Sequence, residues 1–230
     1  MPTPKEELIE RIDRARASGR AVAIDPPMSP EHIVDLEARF GTAVPPEIRE
    51  LVQHAAGFSL DDIRVQFGGQ EPFEFESAFP RGLPIAADGA GNFWVVDVAS
   101  DGSWGPLFFV AHDPPVIVVQ AADIASFIDQ VFGAREGGEV AEPFVTEIGK
   151  RNPNVITHER ALSSADAILR DFAQQLGPNF VITDLRDATP GNGFVWGLAG
   201  PNTEVRRAGN ELLFATEQKK RGFLSRLLSR

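Results

Sequence analysis

The chain contains no cysteine and no tyrosine, and only two of its 230 residues are methionine. Without cysteine there can be no disulfide, thiolate zinc site, iron–sulfur cluster or cysteine nucleophile. No stretch approaches the roughly 18 uninterrupted apolar residues of a membrane span. The opening Met1-Pro2-Thr3-Pro4-Lys5-Glu6-Glu7 lacks the apolar core of a signal peptide. These absences together point to a soluble cytoplasmic protein. Positive charge is scarce in the first part of the chain. Residues 1–138 carry 10 Lys and Arg against 22 Asp and Glu, a balance of −12, whereas residues 139–230 carry 12 against 11. The acidic part argues against nucleic acid as a direct ligand, because phosphates would be repelled. It suits a basic protein partner, and it equally serves plain solubility.

What is present is a patterned core, 43% of the residues being hydrophobic. Leu8, Ile12 and Ala15 share one face of a helix expected over 5–17, which Gly19 ends. Residues 21–25 fit a short strand. Ser29 and Pro30 open a helix whose apolar face is Ile33, Leu36 and Phe40 and which Gly41 stops. Pro45-Pro46 open another, with Ile48, Leu51, Val52 and Ala55 on one face. Gly57 is expected to close it in the left-handed conformation. The period then changes to two at Ile63, Val65 and Phe67 and again at Phe73 and Phe75. Gly68-Gly69 between them predicts a hairpin or a bulged edge. Residues 92–98, 107–111 and 116–119 are nearly continuous apolar runs, suited to strands covered on both faces. The turn residues Asp101-Gly102 and His112-Asp113-Pro114-Pro115 join them into an antiparallel meander. A helix over 122–132, carrying Ile124, Phe127, Ile128 and Val131, closes this unit.

Residues 133–139 (GAREGGE) read as a linker. Beyond it, Ser163 or Ser164 is the expected cap of a helix striped by Ala165, Ile168, Leu169, Phe172 and Leu176. Strands are expected at 180–185, 194–198, 205–208 and 212–216. The tail, 218–230, is basic and amphipathic. It could touch an anionic membrane surface, but thirteen residues bind one weakly alone, and a docked helix or a disordered end ranks ahead. The resulting division is 1–138, 139–217 and 218–230.

Four motifs in order carry a family resemblance. The first runs from Ile33-Val34-Asp35-Leu36-Glu37-Ala38-Arg39-Phe40-Gly41 into Val44-Pro45-Pro46-Glu47-Ile48-Arg49-Glu50-Leu51, with Gly57 following. The second is Leu83-Pro84-Ile85-Ala86 and then Asp88-Gly89-Ala90-Gly91-Asn92-Phe93-Trp94. The third is Gly105-Pro106-Leu107-Phe108-Phe109 with His112-Asp113, and the fourth is Ser126-Phe127-Ile128. Over about residues 29–132 the chain resembles the SUKH superfamily, which includes the fungal cell-wall-synthesis regulators of the Smi/Knr type. The resemblance implies an α+β fold, an antiparallel sheet packed with helices, here followed by a smaller C-terminal α+β lobe. It also implies a non-catalytic protein-binding role, as an immunity protein against a toxin or as an intracellular interaction module. Pro45, Gly57, Asp88, Gly91 and Asn92 are the motif's structural positions.

Chemistry-bearing patterns weigh against an enzyme. Asp88-Gly89-Ala90-Gly91-Asn92 precedes a strand and lacks a following Gly-Lys-Ser/Thr, so it reads as a turn rather than a phosphate loop. Asp97 and Asp101 echo a calcium loop, but Ala99 and Phe108 stand where ligands are required. His112, Asp113 and Asp88 could form an acid–base group between the lobes, yet no Gly-x-Ser-x-Gly elbow supplies a nucleophile. The histidines lack zinc spacing, and His54 falls at a helix end, where it complements the dipole. No metal or cofactor is implied. The partner-binding candidates are the acidic and aromatic positions Asp61, Asp62, Phe73, Glu74, Glu76, Trp104 and Asp113, with Glu71 and Phe58 beside them. Trp94 is read as core and Trp104 as a surface anchor in a hairpin loop. The sequence leaves the oligomeric state open.

Overall fold

The computed structural model describes residues 2–61, 63–69, 73–113, 115–133, 155–197 and 203–218. Asp62, Glu71, Pro114, nearly all of the expected linker and the tail beyond Gln218 lie outside these residues. Within them the protein is α+β, with six helices and two antiparallel sheets.

Helix α1 (Pro4–Ala17) starts at a capping box. The Thr3 hydroxyl accepts from the Glu6 N–H, and the Glu6 carboxylate accepts from the Thr3 N–H at 2.8 Å. Its Leu8, Ile12 and Ala15 are buried, and Arg11 pairs with Asp129 on α4 (Ile124–Gly133). Helix α2 (Pro30–Phe40) begins where Ser29 accepts from the His32 N–H and ends at Gly41, φ 67°. Helix α3 (Pro46–His54) follows Pro45 and places His54 in its last turn. The expected C-cap glycine is corrected here. Ala55 ends α3 in an extended conformation, and Gly57 starts β2 (Gly57–Leu60). Gly57 is required for another reason. A Cβ there would lie 2.2 Å from the Val65 carbonyl oxygen, so only glycine lets the two backbones approach.

The large sheet has the order β1-β2-β3-β4-β5-β6-β7-β10, with every pair antiparallel. The strands are β1 (Val22–Ile24), β2, β3 (Ile63–Gln66), β4 (Gly82–Ala87), β5 (Phe93–Val98), β6 (Trp104–His112), β7 (Pro115–Ala121) and β10 (Gly193–Val195). β5, β6 and β7 form the expected meander. The expected pairing across Gly68-Gly69 does not form. β3 pairs instead with β2 and β4, and residues 73–79 are not a strand but supply Phe73, Phe75 and Phe79 to the core.

Alternation along the meander explains its apolar runs. Trp94, Val96, Leu107, Phe109, Val116 and Val118 pack beneath the helices. Phe93, Val95, Phe108, Val110, Ile117 and Val119 point to the opposite face. A second sheet covers that face, in the order β11-β12-β9-β8: β11 (Val205–Arg207), β12 (Leu213–Glu217), β9 (Phe180–Asp184) and β8 (Val155–Thr157). The Phe108 and Phe214 rings meet at 6.2 Å, and Phe79 lies against both, at 5.1 and 5.7 Å. The outer face of the second sheet carries α5 (His158–Leu162) and α6 (Ala167–Gln174) over Ile182, Leu213 and Ala215. The layers therefore run helices, sheet, sheet, helices.

The expected serine cap is also corrected. Asp166 caps α6, accepting from the N–H groups of Ile168 and Leu169, while Ser163 ends the separate helix α5. Asp is the stronger choice because its carboxylate takes both free N–H groups at the positive end of the helix. Ile168, expected in the buried stripe, is 45% exposed. Arg186 bridges Asp166 and Asp184 at 2.6 Å each. Its hydrogen bonds hold both carboxyls below the usual range, helped at Asp166 by the Leu169 N–H and opposed at Asp184 by burial. A lowered folded-state pKa stabilises above the unfolded value, about 3.9 for Asp, and that contribution is lost as pH falls through the folded values. Arg186→Met should therefore melt below wild type at pH 6, and the difference should close as the pH drops below about 4. A constant difference in melts from pH 6 to pH 2.5 would show that the ion pairs contribute nothing.

Candidate partner-binding surface

Chain direction decides where the acidic candidates fall. The strands from β2 to β7 alternate in direction, so the β2–β3, β4–β5 and β6–β7 turns share one end of the large sheet. Asp61, Asp88 and Asp113 sit at these turns and are exposed. At roughly 4.8 Å between strands, the three turns span about 19 Å. Asp61 adopts φ 51° at the hairpin tip and pairs with Arg20.

The Asp88 turn is built from its own residues. The carboxylate accepts from the N–H of Ala90 at 2.8 Å and of Asn92 at 3.2 Å, and from the Asn92 side-chain amide at 2.6 Å. Gly89 and Gly91 take φ 78° and 86°, which only glycine adopts freely. The Asn92 side-chain oxygen then accepts from the His112 N–H at 3.1 Å, joining the turn to the end of β6. The sequence reading of a turn at Asp88, Gly91 and Asn92 matches this geometry.

At the same end His112 lies half-exposed between three neighbours. Its ring is 4.8 Å from Phe75 and 5.8 Å from Trp196, and its Nε2 is 3.7 Å from the Glu74 carboxylate. Glu74, Glu76 and Asp113 are exposed there. The aromatic candidates are elsewhere, and two need correction. Phe73 is 4% exposed, with its ring edge-on to Phe93 at 5.4 Å, and Phe58 is wholly buried. The charges flanking Phe73 suggested exposure, but the side chain crosses into the core between the sheets. Trp104 is not in a loop. It starts β6, pairs with Val98 and is half-buried against the helical core. Eight positions apart along β6, Trp104 and His112 are separated by about 26 Å. The structure thus gathers Asp61, Glu74, Glu76 and Asp113 toward one end and leaves Trp104 at the other.

Near Trp104, the Ser103 hydroxyl and N–H hold the Asp101 carboxyl below its usual range and close the Ala99–Ser103 turn. Asp97, the other half of the calcium-like echo, is buried and bound by Arg207 at 2.7 and 2.8 Å. Among the described residues no group of three or more His, Asp or Glu could hold a metal ion. No helix of the described residues is long and apolar enough to cross a membrane.

Sequence reasoning missed a groove of about 410 Å³ at the Trp104 end. Its floor is Met28, Leu36 and Ala56. One wall is the outer face of α2, with His32, Asp35 and Arg39, and the other holds Asp25, Gln66 and Gly68-Gly69. His32, Asp35 and Arg39 follow one another at helical spacing on α2. Only the fold sets the end of β3 opposite it.

Comparison with known proteins agrees with this architecture. The model of the SMI1 / KNR4 family (SUKH-1) matches residues 27–130, a little under half of the chain. No curated protein matches the chain. The matched segment contains α2, α3, all of β2–β7 and most of α4. Over residues 27–130 the chain is thus similar to the SMI1 / KNR4 family (SUKH-1).

Proposed function

We propose that the protein binds another protein without catalysing a reaction on it, and that it is an immunity protein that occludes a basic toxin, a nuclease being the natural match. The observation that carries this reading is the family match over the acidic part of the chain. Asp61, Asp62, Glu74, Glu76 and Asp113 form the proposed contact, and their charge speeds encounter with a cationic partner. Trp104 is retained as an outlying contact, whereas buried Phe73 supports the surface from beneath. The protein is proposed to act in the cytoplasm.

The test is co-expression with the product of any toxin gene found beside this protein's own. Growth should be rescued, and a one-to-one complex should weaken as salt rises. Glu76→Lys with Asp113→Lys should slow association at least tenfold in surface plasmon resonance while leaving the melting temperature nearly unchanged. Failure of rescue together with no complex would end the immunity reading.

A scaffold or regulatory role is favoured by a different observation. Val155, Leu162 and Ile168, all in the C-terminal lobe outside the family match, remain 38–45% exposed. If these residues bind a partner, changing all three to Ser should abolish its capture and leave toxin rescue intact.

A further inference from the structure

The groove beside α2 lies at the opposite end of the large sheet from the acidic turns, so it is a separate site. The helices α1–α4 cover one face of that sheet, and the second sheet with residues 73–79 covers the other over β5–β7. We propose that this groove is a socket for an arginine or lysine side chain presented by a protein partner.

The lining matches that side chain part by part. Met28 and Leu36 are 7% and 5% exposed and form an apolar floor suited to a methylene stem. Gly68 and Gly69 keep the opposite wall low. A Cβ on Gly68 would already lie 3.1 Å from the end of Met28. For the cationic head there are two carboxylates and an amide: Asp35, Asp25 and Gln66. Asp35 is exposed, and no hydrogen bond or ion pair reaches it. Asp25 has a loose ion pair, 3.5 Å from an Arg64 that is itself 59% exposed. Arg39 lines the groove at its Gly69 end, where it donates to the Gly82 carbonyl at 3.3 Å and its guanidinium lies 5.4 Å from the Phe40 ring. His32 also lines the groove. The −12 balance of residues 1–138 raises the local concentration of cations around the site. A bound cation gains charge-assisted hydrogen bonds while its stem leaves water, the combination that makes pocketed arginines strong interface anchors.

The test uses the full chain and small probes, so it does not depend on any toxin. N-acetyl-arginine amide and N-acetyl-lysine amide are titrated into the ¹⁵N-labelled protein. Saturable shifts are expected at the amides of Leu36, Gly68 and Gly69. Asp35→Asn, a surface change, should weaken binding about tenfold. Gly68→Leu, which fills the groove, should abolish it. The proposal is overturned if N-acetyl-glutamate amide shifts the same amides as strongly, if Asp35→Asn binds as wild type does, or if the shifts fall on the acidic turns and spare Gly68. A toxin that binds with Asp35→Asn unaltered would leave the immunity reading standing and would separate it from this site.

Discussion

Arg207→Ala should lower the unfolding free energy by about 3–5 kcal/mol, the largest loss expected from any single surface-to-core ion pair here. Arg207 reaches from β11 to Asp97 on β5, the two side chains being 5% and 8% exposed. Its two terminal nitrogens meet the two carboxylate oxygens at 2.7 and 2.8 Å. The remaining donors go to the carbonyls of Glu211 at 2.9 Å, Asn210 at 3.0 Å and Ala78 at 3.4 Å, so all five N–H groups of the guanidinium are engaged. Its flat face lies 5.5 Å from the Phe214 ring. Removing it strands a buried carboxylate, which costs far more than the pair itself contributes. The double change Asp97→Leu with Arg207→Met should therefore recover most of the loss, since an apolar pair of similar size needs no compensation. Urea unfolding of the two variants measures both. A loss below about 1 kcal/mol for Arg207→Ala would mean that the ion pair does not hold the sheets together.

Ending the chain after Gly133 should have an even larger effect. It removes β8–β12 together with α5 and α6, and with them Leu185, Phe194, Trp196, Val205 and Phe214 from the core between the sheets. Phe108, Val110, Ile117 and Val119 would then lose their cover. At roughly 1.5–3 kcal/mol for each such side chain, about 6–12 kcal/mol of burial is at stake. That is the whole stability of an ordinary domain. The fragment 1–133 should self-associate in light scattering, bind a hydrophobic dye and unfold without a sharp transition. A monomeric fragment that unfolds cooperatively at the wild-type urea midpoint would show that residues 73–79 suffice as cover.

The elements most legible in the sequence were those specified locally. Ser29 with Pro30, Gly41, and the 3–4 spacing in α1, α2, α3 and α4 fix helices through neighbouring residues alone. The Asp88–Asn92 turn is equally local, because its hydrogen bonds span at most four residues. The two-sided apolar runs of β5, β6 and β7 required cover on both faces, and the order of four short motifs pointed to the family. Four of the failures share one cause. Gly57, Phe58, Phe73 and Trp104 are set by what lies across the fold: the Val65 carbonyl, the helical core, the Phe93 ring and Val98.

The sequence by itself determined the α+β class, the SUKH-type segment and the acidic character of residues 1–138, because periodicity, turn chemistry and charge are properties of residues close along the chain. Only the tertiary structure decided which acids share an end of the sheet. Only it showed that Arg207 closes the two sheets over Asp97, and that α2 and Gly68-Gly69 enclose a groove. Each of those depends on residues brought together from distant parts of the chain, and the pairing of strands, not their composition, sets such distances.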